Sequence, residues 1–141
     1  MSVQDTEATI SAYLSALMSG GDFGSYFAAD VLWTTMENGD QVRGRREVTD
    51  YIVALHTQVF AASPELVNVA YGDGFAILEA VFVGTHIGEF GDIPATGVKV
   101  RLPYCVAYTI ADSKITELRA YLSMLALQQH LTVGATGTPD H

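Results

Sequence analysis

The sequence predicts an α+β fold, a cone-shaped half-barrel of curved, mostly antiparallel sheet packed on N-terminal helices. Three observations predict it. Before Pro64 apolar residues recur with helical period. After Pro64 the period becomes two, in long runs separated by short turn signals. One of those runs, residues 75–86, is apolar on both faces (Phe75, Ile77, Val81 and Val83 on one, Leu78, Ala80 and Phe82 on the other), so it is covered on two sides. Helices followed by a sheet, segregated in that order, enclose a cavity between the helices and the concave sheet face.

The elements follow in order. Ser2 and Asp5 form a capping box ahead of the stripe Ile10, Tyr13, Leu14, Leu17 and Met18, which stops at Gly20-Gly21. Phe23, Tyr26 and Phe27 have the spacing of a short second helix. Residues 31–37 read as a strand closed by the turn Glu37-Asn38-Gly39-Asp40. Residues 45–61 are helical again, burying Val48, Ile52, Leu55 and Val59. Strands are expected at 66–71, 75–86, 98–110 and 114–123, and a closing helix at 124–131. One domain spans 1–132, and 133–141 is a flexible C-terminal tail rich in Gly, Thr and Pro.

Bulk composition excludes several classes. With 16 acids against 7 bases, the net charge of −9 repels phosphate backbones and anionic lipid, so nucleic acid is not an expected partner. No apolar run reaches the ~18 residues of a membrane span, and the N-terminal residues carry no basic leader, so a cytoplasmic protein is expected. The single cysteine, Cys105, fits a reducing compartment. An apolar content of 49% against 16% charged residues leaves apolar surface for an internal cavity and a subunit interface, and the two-sided strand points to a homodimer. The four histidines show no metal-ligand spacing, so a metal is not expected. No nucleophile elbow occurs.

The connection at 84–97 carries a histidine and two acids beside the expected cavity mouth. There His86 ends an apolar strand, where an imidazole titrates near neutrality and can act as a base; it can equally satisfy the backbone of the following turn. Glu79 interrupts an apolar face, and Arg119 is its expected counter-ion. Trp33, Tyr104, Tyr108 and Tyr121 are aromatic candidates for lining a pocket.

Gly84-Thr85-His86-Ile87-Gly88-Glu89-Phe90 with Ile93-Pro94-Ala95-Thr96-Gly97, then Lys114-Ile115-Thr116-Glu117, and Leu125-Ala126-Leu127 with Gln129 and Leu131, carry a family likeness. From about Thr6 to Leu131 the chain resembles the SnoaL-like polyketide cyclases, within the nuclear transport factor 2-like and ketosteroid isomerase-like fold. The resemblance implies a cofactor-free cyclase or isomerase acting by proton transfer on a hydrophobic small molecule. It places the cyclase branch's aspartate at Ser123, which does not titrate near neutrality. It matches Tyr13 to the isomerase branch's oxyanion tyrosine, and puts that branch's carboxylates at Thr35 and Cys105. The catalytic candidates are therefore His86 as base, Tyr13 as oxyanion donor and Ser123 as auxiliary donor, with Trp33, Thr35, Cys105 and Tyr121 binding substrate. The alternative implied by Ser123 is a non-catalytic ligand-binding or dimerisation domain that has lost the acid.

Overall fold

The computed structural model describes residues 2–135. Helix α1 (Val3–Ser19) starts at its capping box: Asp5 N–H donates to Ser2 Oγ at 3.1 Å, and Ser2 N–H donates to the Asp5 carboxylate at 3.1 Å. It stops at Gly20, whose φ of 74° lies in the left-handed region that favours glycine. One turn of 3₁₀ helix (Phe23–Tyr26) leads into strand β1 (Phe27–Thr35). The expected second helix is thus shorter and the strand starts earlier, because fully buried Phe27 pairs with Ile115 rather than continuing a helix.

Strand β2 (Asp40–Arg43) was not expected. Its one aliphatic residue, Val42, gives no periodic signal, and the strand exists as the return arm of the hairpin that pairs Thr35 with Asp40 and Leu32 with Arg43. Helix α2 (Arg45–Ala54) passes into a π-helical turn (Leu55–Val59) and then strand β3 (Phe60–Ala62), where a helix through residue 61 was expected. Pairing of Phe60 with His86 and Ala62 with Gly84 captures this segment for the sheet. The remaining strands lie close to their expected positions: β4 (Glu65–Gly72), β5 (Phe75–His86), β6 (Lys99–Ala111) and β7 (Lys114–Tyr121). Helix α3 (Met124–Ala135) extends into the segment expected as a tail; residues 136–141 lie outside the described residues.

The seven strands form one sheet in the order β2-β1-β7-β6-β5-β3, with β4 also paired to β5. All pairings are antiparallel except β1 with β7, which is parallel and joins the first strand of the chain to the last. The sheet curls over α1 and α2 as a half-barrel. Ala76, Leu78, Val106, Tyr108 and Leu118 on its concave side pack with Ile10, Tyr13, Val48 and Ile52 from the helices. A second cluster around Phe60, Phe82, Phe90 and Val100 is sealed by Leu127 and Leu131 of α3, both fully buried. Each large side chain so buried contributes roughly 1.5–3 kcal/mol.

The convex side remains partly apolar, with Phe75 and Ile77 exposed. Glu79 lies on that side, opposite Cys105, and is exposed. Its expected pairing with Arg119 is corrected: the Arg119 guanidinium donates to Glu117 at 3.0 Å and Thr109 Oγ1 at 3.1 Å. The two acids straddle Arg119 by strand register, and the one on its own strand is closer to hand.

Candidate functional site

Between the concave sheet face and the helices lies a cavity of ≈ 50 Å³. Tyr13 and Leu17 come from α1, Tyr51 and Ile52 from α2, and Leu55 and His56 from the π turn. The sheet supplies Trp33, Thr35, Leu78, Phe82, Tyr104, Val106, Tyr108, Leu118 and Ala120, and Leu122 and Met124 close the end under α3. No Asp, Glu, Lys or Arg is among the lining residues. Thr35, Tyr51 and Met124 also line a surface cleft beside Asp40, and Leu17, Ile52, His56 and Pro64 line another beside Gly20.

The polar groups that face inward are mostly phenols. Burial raises the pKa values of Tyr13 and Tyr108, and pushes Tyr104 up to about 12, so these hydroxyls remain protonated donors at neutral pH. Tyr51 is raised as well, chiefly by burial, with Thr35 beside its hydroxyl acting in the opposite direction. Trp33 Nε1–H donates to Thr35 Oγ1 at 3.1 Å. That bond leaves the Thr35 hydroxyl proton free to donate.

His56 is the lining side chain whose ordinary pKa lies nearest neutrality. Its Nδ1 lies 2.8 Å from the Ile52 carbonyl oxygen, which can only accept, so Nδ1 carries the proton. Nε2 is buried, without a hydrogen-bond partner in the protein. Burial lowers the His56 pKa, and the Ile52 bond opposes that shift. The unfolded chain therefore takes up a proton near pH ~6.5, while the folded chain does so only at lower pH. In that window the unfolded state binds more protons, so stability falls as pH drops through about 6.5 and levels off below the folded value. His56→Gln is expected to flatten this part of the profile, as read by urea melts of both proteins on either side of that window; identical slopes would refute it. The side chains facing His56 across the cavity are tyrosines and apolar groups, so no neighbouring carboxylate masks the effect.

The expected site residues separate into two groups. Tyr13, Trp33 and Thr35 line the cavity together. His86 does not reach it: fully buried in the second cluster, it accepts at Nδ1 from the Thr96 hydroxyl (2.9 Å) and the Thr96 N–H (3.2 Å). It ties down the connection between β5 and β6, and Phe60 covers its ring at 5.3 Å. Cys105 and Tyr121 are paired with each other on the convex face, Tyr121 being 51% exposed. Their neighbours Val106, Ala120 and Leu122 face inward instead, since strand side chains alternate.

Ser123 caps α3. Ala126 N–H donates to its Oγ at 3.0 Å, and its hydroxyl donates to Glu37 at 2.9 Å. The other Glu37 oxygen accepts from Met124 N–H at 2.7 Å, placing a carboxylate at the helix N-terminus. Neither Ser123 nor Glu37 lines the cavity. Ser123→Ala is expected to cost about 1 kcal/mol through loss of the cap, measurable as a lowered urea midpoint; an unchanged midpoint would remove this role.

His56 is the residue that sequence reasoning missed. It stands four positions after Ile52 on the stripe already identified from Val48 and Ile52, so its inward direction was legible from helical spacing. The π turn that carries it was not, because its widened geometry follows from the capture of Phe60 by the sheet.

A half-barrel of this topology around an apolar cavity is the architecture of the nuclear transport factor 2-like proteins. The chain belongs to the SnoaL-like domain family, whose model matches residues 10–118. No curated protein matches its sequence. Among solved structures it is similar to a proposed SnoaL-like polyketide cyclase from Jannaschia sp. CCS1, with TM-score 0.81 and 17% identity over 92% of each chain. It is also similar to a proposed polyketide cyclase from Xanthomonas campestris pv. campestris, with TM-score 0.78 and 18% identity over 92% of this chain and 98% of that one. An epoxide hydrolase of the LEH-like type from M. tuberculosis aligns at TM-score 0.70 and 14% identity over 96% of both chains. These identities establish the common fold. No helix is long and apolar enough to cross a membrane among the described residues.

Proposed function

We propose that the chain binds a small, mostly apolar molecule inside the half-barrel and catalyses a cofactor-free proton transfer on it, an isomerisation or ring closure. The observation that carries this reading is the cavity itself, walled by apolar side chains and offering protonated phenols to an oxygen of the ligand. Such donors stabilise a developing enolate more strongly in a dry site than in water. At ≈ 50 Å³ the cavity is well below the ~300 Å³ of an ordinary ligand pocket. Entry therefore requires side chains to move, and Met124, shared between the cavity and the cleft beside Asp40, is flexible enough to do so.

Phenylacetone, a flat apolar ketone with an acidic methylene, tests the reading in deuterated water. Shifts of the Tyr13, Val106 and Leu118 resonances together with faster-than-buffer deuteration of the methylene are expected. Absence of any shift at millimolar ketone would sink it.

A second reading, ligand binding without turnover, is favoured by the role of Ser123 as a cap in place of an acid. Binding without accelerated deuteration would select it. Ser123→Asp alone sets a carboxylate against Glu37, so restoring an acid there calls for Glu37→Gln as well. We further propose a homodimer through the convex face, where Phe75 and Ile77 are exposed beside Ala107 and Cys105. Sedimentation at micromolar concentration is expected to show twice the 15.1 kDa of one chain; a monomer alone would refute the dimer.

A further inference from the structure

The geometry points to His56 Nε2 as the proton acceptor of the cavity, and to a ligand that brings an acidic O–H or C–H to it: a small, flat, apolar phenol, enol or ketone. This inference rests on the cavity-binding reading and specifies its chemistry. Donation from Nδ1 to the Ile52 carbonyl leaves the lone pair of the neutral ring on Nε2. That nitrogen is buried and unpartnered, as is His86 Nε2; of the two rings only that of His56 lines the cavity, where a ligand can supply the missing partner.

The ring is also held in place. Nδ1 is anchored at 2.8 Å, the ring packs against Phe82 at 5.6 Å, and the π turn sets the backbone that carries it. Turns of this kind occur often at functional sites. His56 further lines two surface clefts, one bounded by Gly20 and Pro64, the other by Thr85 and Lys99. It therefore stands where the interior meets the surface. The lining holds no carboxylate that could do the same work.

In the step itself, the ligand's C–H or O–H bond breaks and an N–H bond forms at Nε2. The bonding electrons remain on the ligand as an enolate or phenolate, whose charge the resulting imidazolium balances. Return of the proton to another carbon of the same ligand completes an isomerisation with no external oxidant or reductant. Throughout, the Ile52 carbonyl continues to accept from Nδ1 and stabilises the cation.

Phenol and toluene, which share a shape and differ in one hydroxyl, test this directly. Titrations of the wild-type protein are followed by NMR of the imidazole nitrogens and of the cavity methyl groups. Phenol is expected to shift the His56 Nε2 resonance and toluene to leave it in place. In His56→Leu, phenol is expected to bind about tenfold more weakly, the worth of one buried hydrogen bond, while toluene binds as well or better. Binding of both probes to the wild type with Nε2 unmoved by phenol would overturn the role of His56 while leaving the cavity reading intact. Failure of both probes to enter would overturn the two together. The resonance shift is read in the wild type, so the result stands even where the variant does not fold.

Discussion

Phe60→Ala is expected to destabilise the protein by about 3–5 kcal/mol, a large share of the ~5–15 kcal/mol that holds such a domain together. Phe60 is fully buried, and its ring meets Phe82 at 5.2 Å edge to face, His86 at 5.3 Å and Phe90 at 5.8 Å. Aromatic contacts of this geometry add to the loss of buried area. The site cannot readily collapse around the missing ring. Phe82 and His86 are fixed in β5, which is hydrogen-bonded to neighbours on both sides, and α3 seals the cluster with Leu127 and Leu131. The position also has a backbone role, since Phe60 N–H donates to the Leu55 carbonyl and closes the π turn. A urea melt measures the effect. A loss below about 1 kcal/mol would mean that the second cluster is looser than its packing implies.

Gly88→Ala is expected to cost at least about 2 kcal/mol, from one added methyl group. Ile87 and Gly88 both donate backbone N–H groups to the Val59 carbonyl, at 2.9 and 3.0 Å, drawing the connection onto the π turn. A Cβ at position 88 would run into the carbonyl of Gln58, and backbone cannot swing aside as a side chain can. Relief requires either the connection or the π turn to move. The His56 resonances are therefore expected to shift in Gly88→Ala, although residue 88 is outside the cavity. Gly91→Ala serves as the control: its φ of 59° is left-handed, but an added Cβ meets nothing within 4 Å. It is expected to cost about 1 kcal/mol and to leave His56 undisturbed. Equal effects from the two substitutions would show that backbone conformation, and not the approach to Gln58, is what Gly88 supplies.

The cavity residues show how far spacing alone carries a reading. Tyr13 lies on a helical stripe, so its inward direction follows from local periodicity, and alternation puts Trp33 and Thr35 together on one face of a strand. Cys105 and Tyr121 fail by one position, because a step of one residue along a strand reverses the face. An alternating run reveals that two faces exist without revealing which becomes concave. His86 and His56 illustrate the same limit. Both sit among apolar residues, yet only one ring reaches the cavity; Thr96 and Phe60 enclose the other.

What the sequence determined by itself was the order of the elements and the long strands β5, β6 and β7. The capping box of Ser2, the stop at Gly20 and the turns flanking those strands act over a few residues and need no distant partner. Tertiary structure decided the parallel pairing of β1 with β7, the polar strand β2, the capture of Phe60 by β5 and the π turn that results. Each of these depends on hydrogen-bond partners far away in the chain, whose pairing energy outweighs local preference. Closure of the half-barrel then fixes which strand face becomes the cavity wall and which histidine enters it.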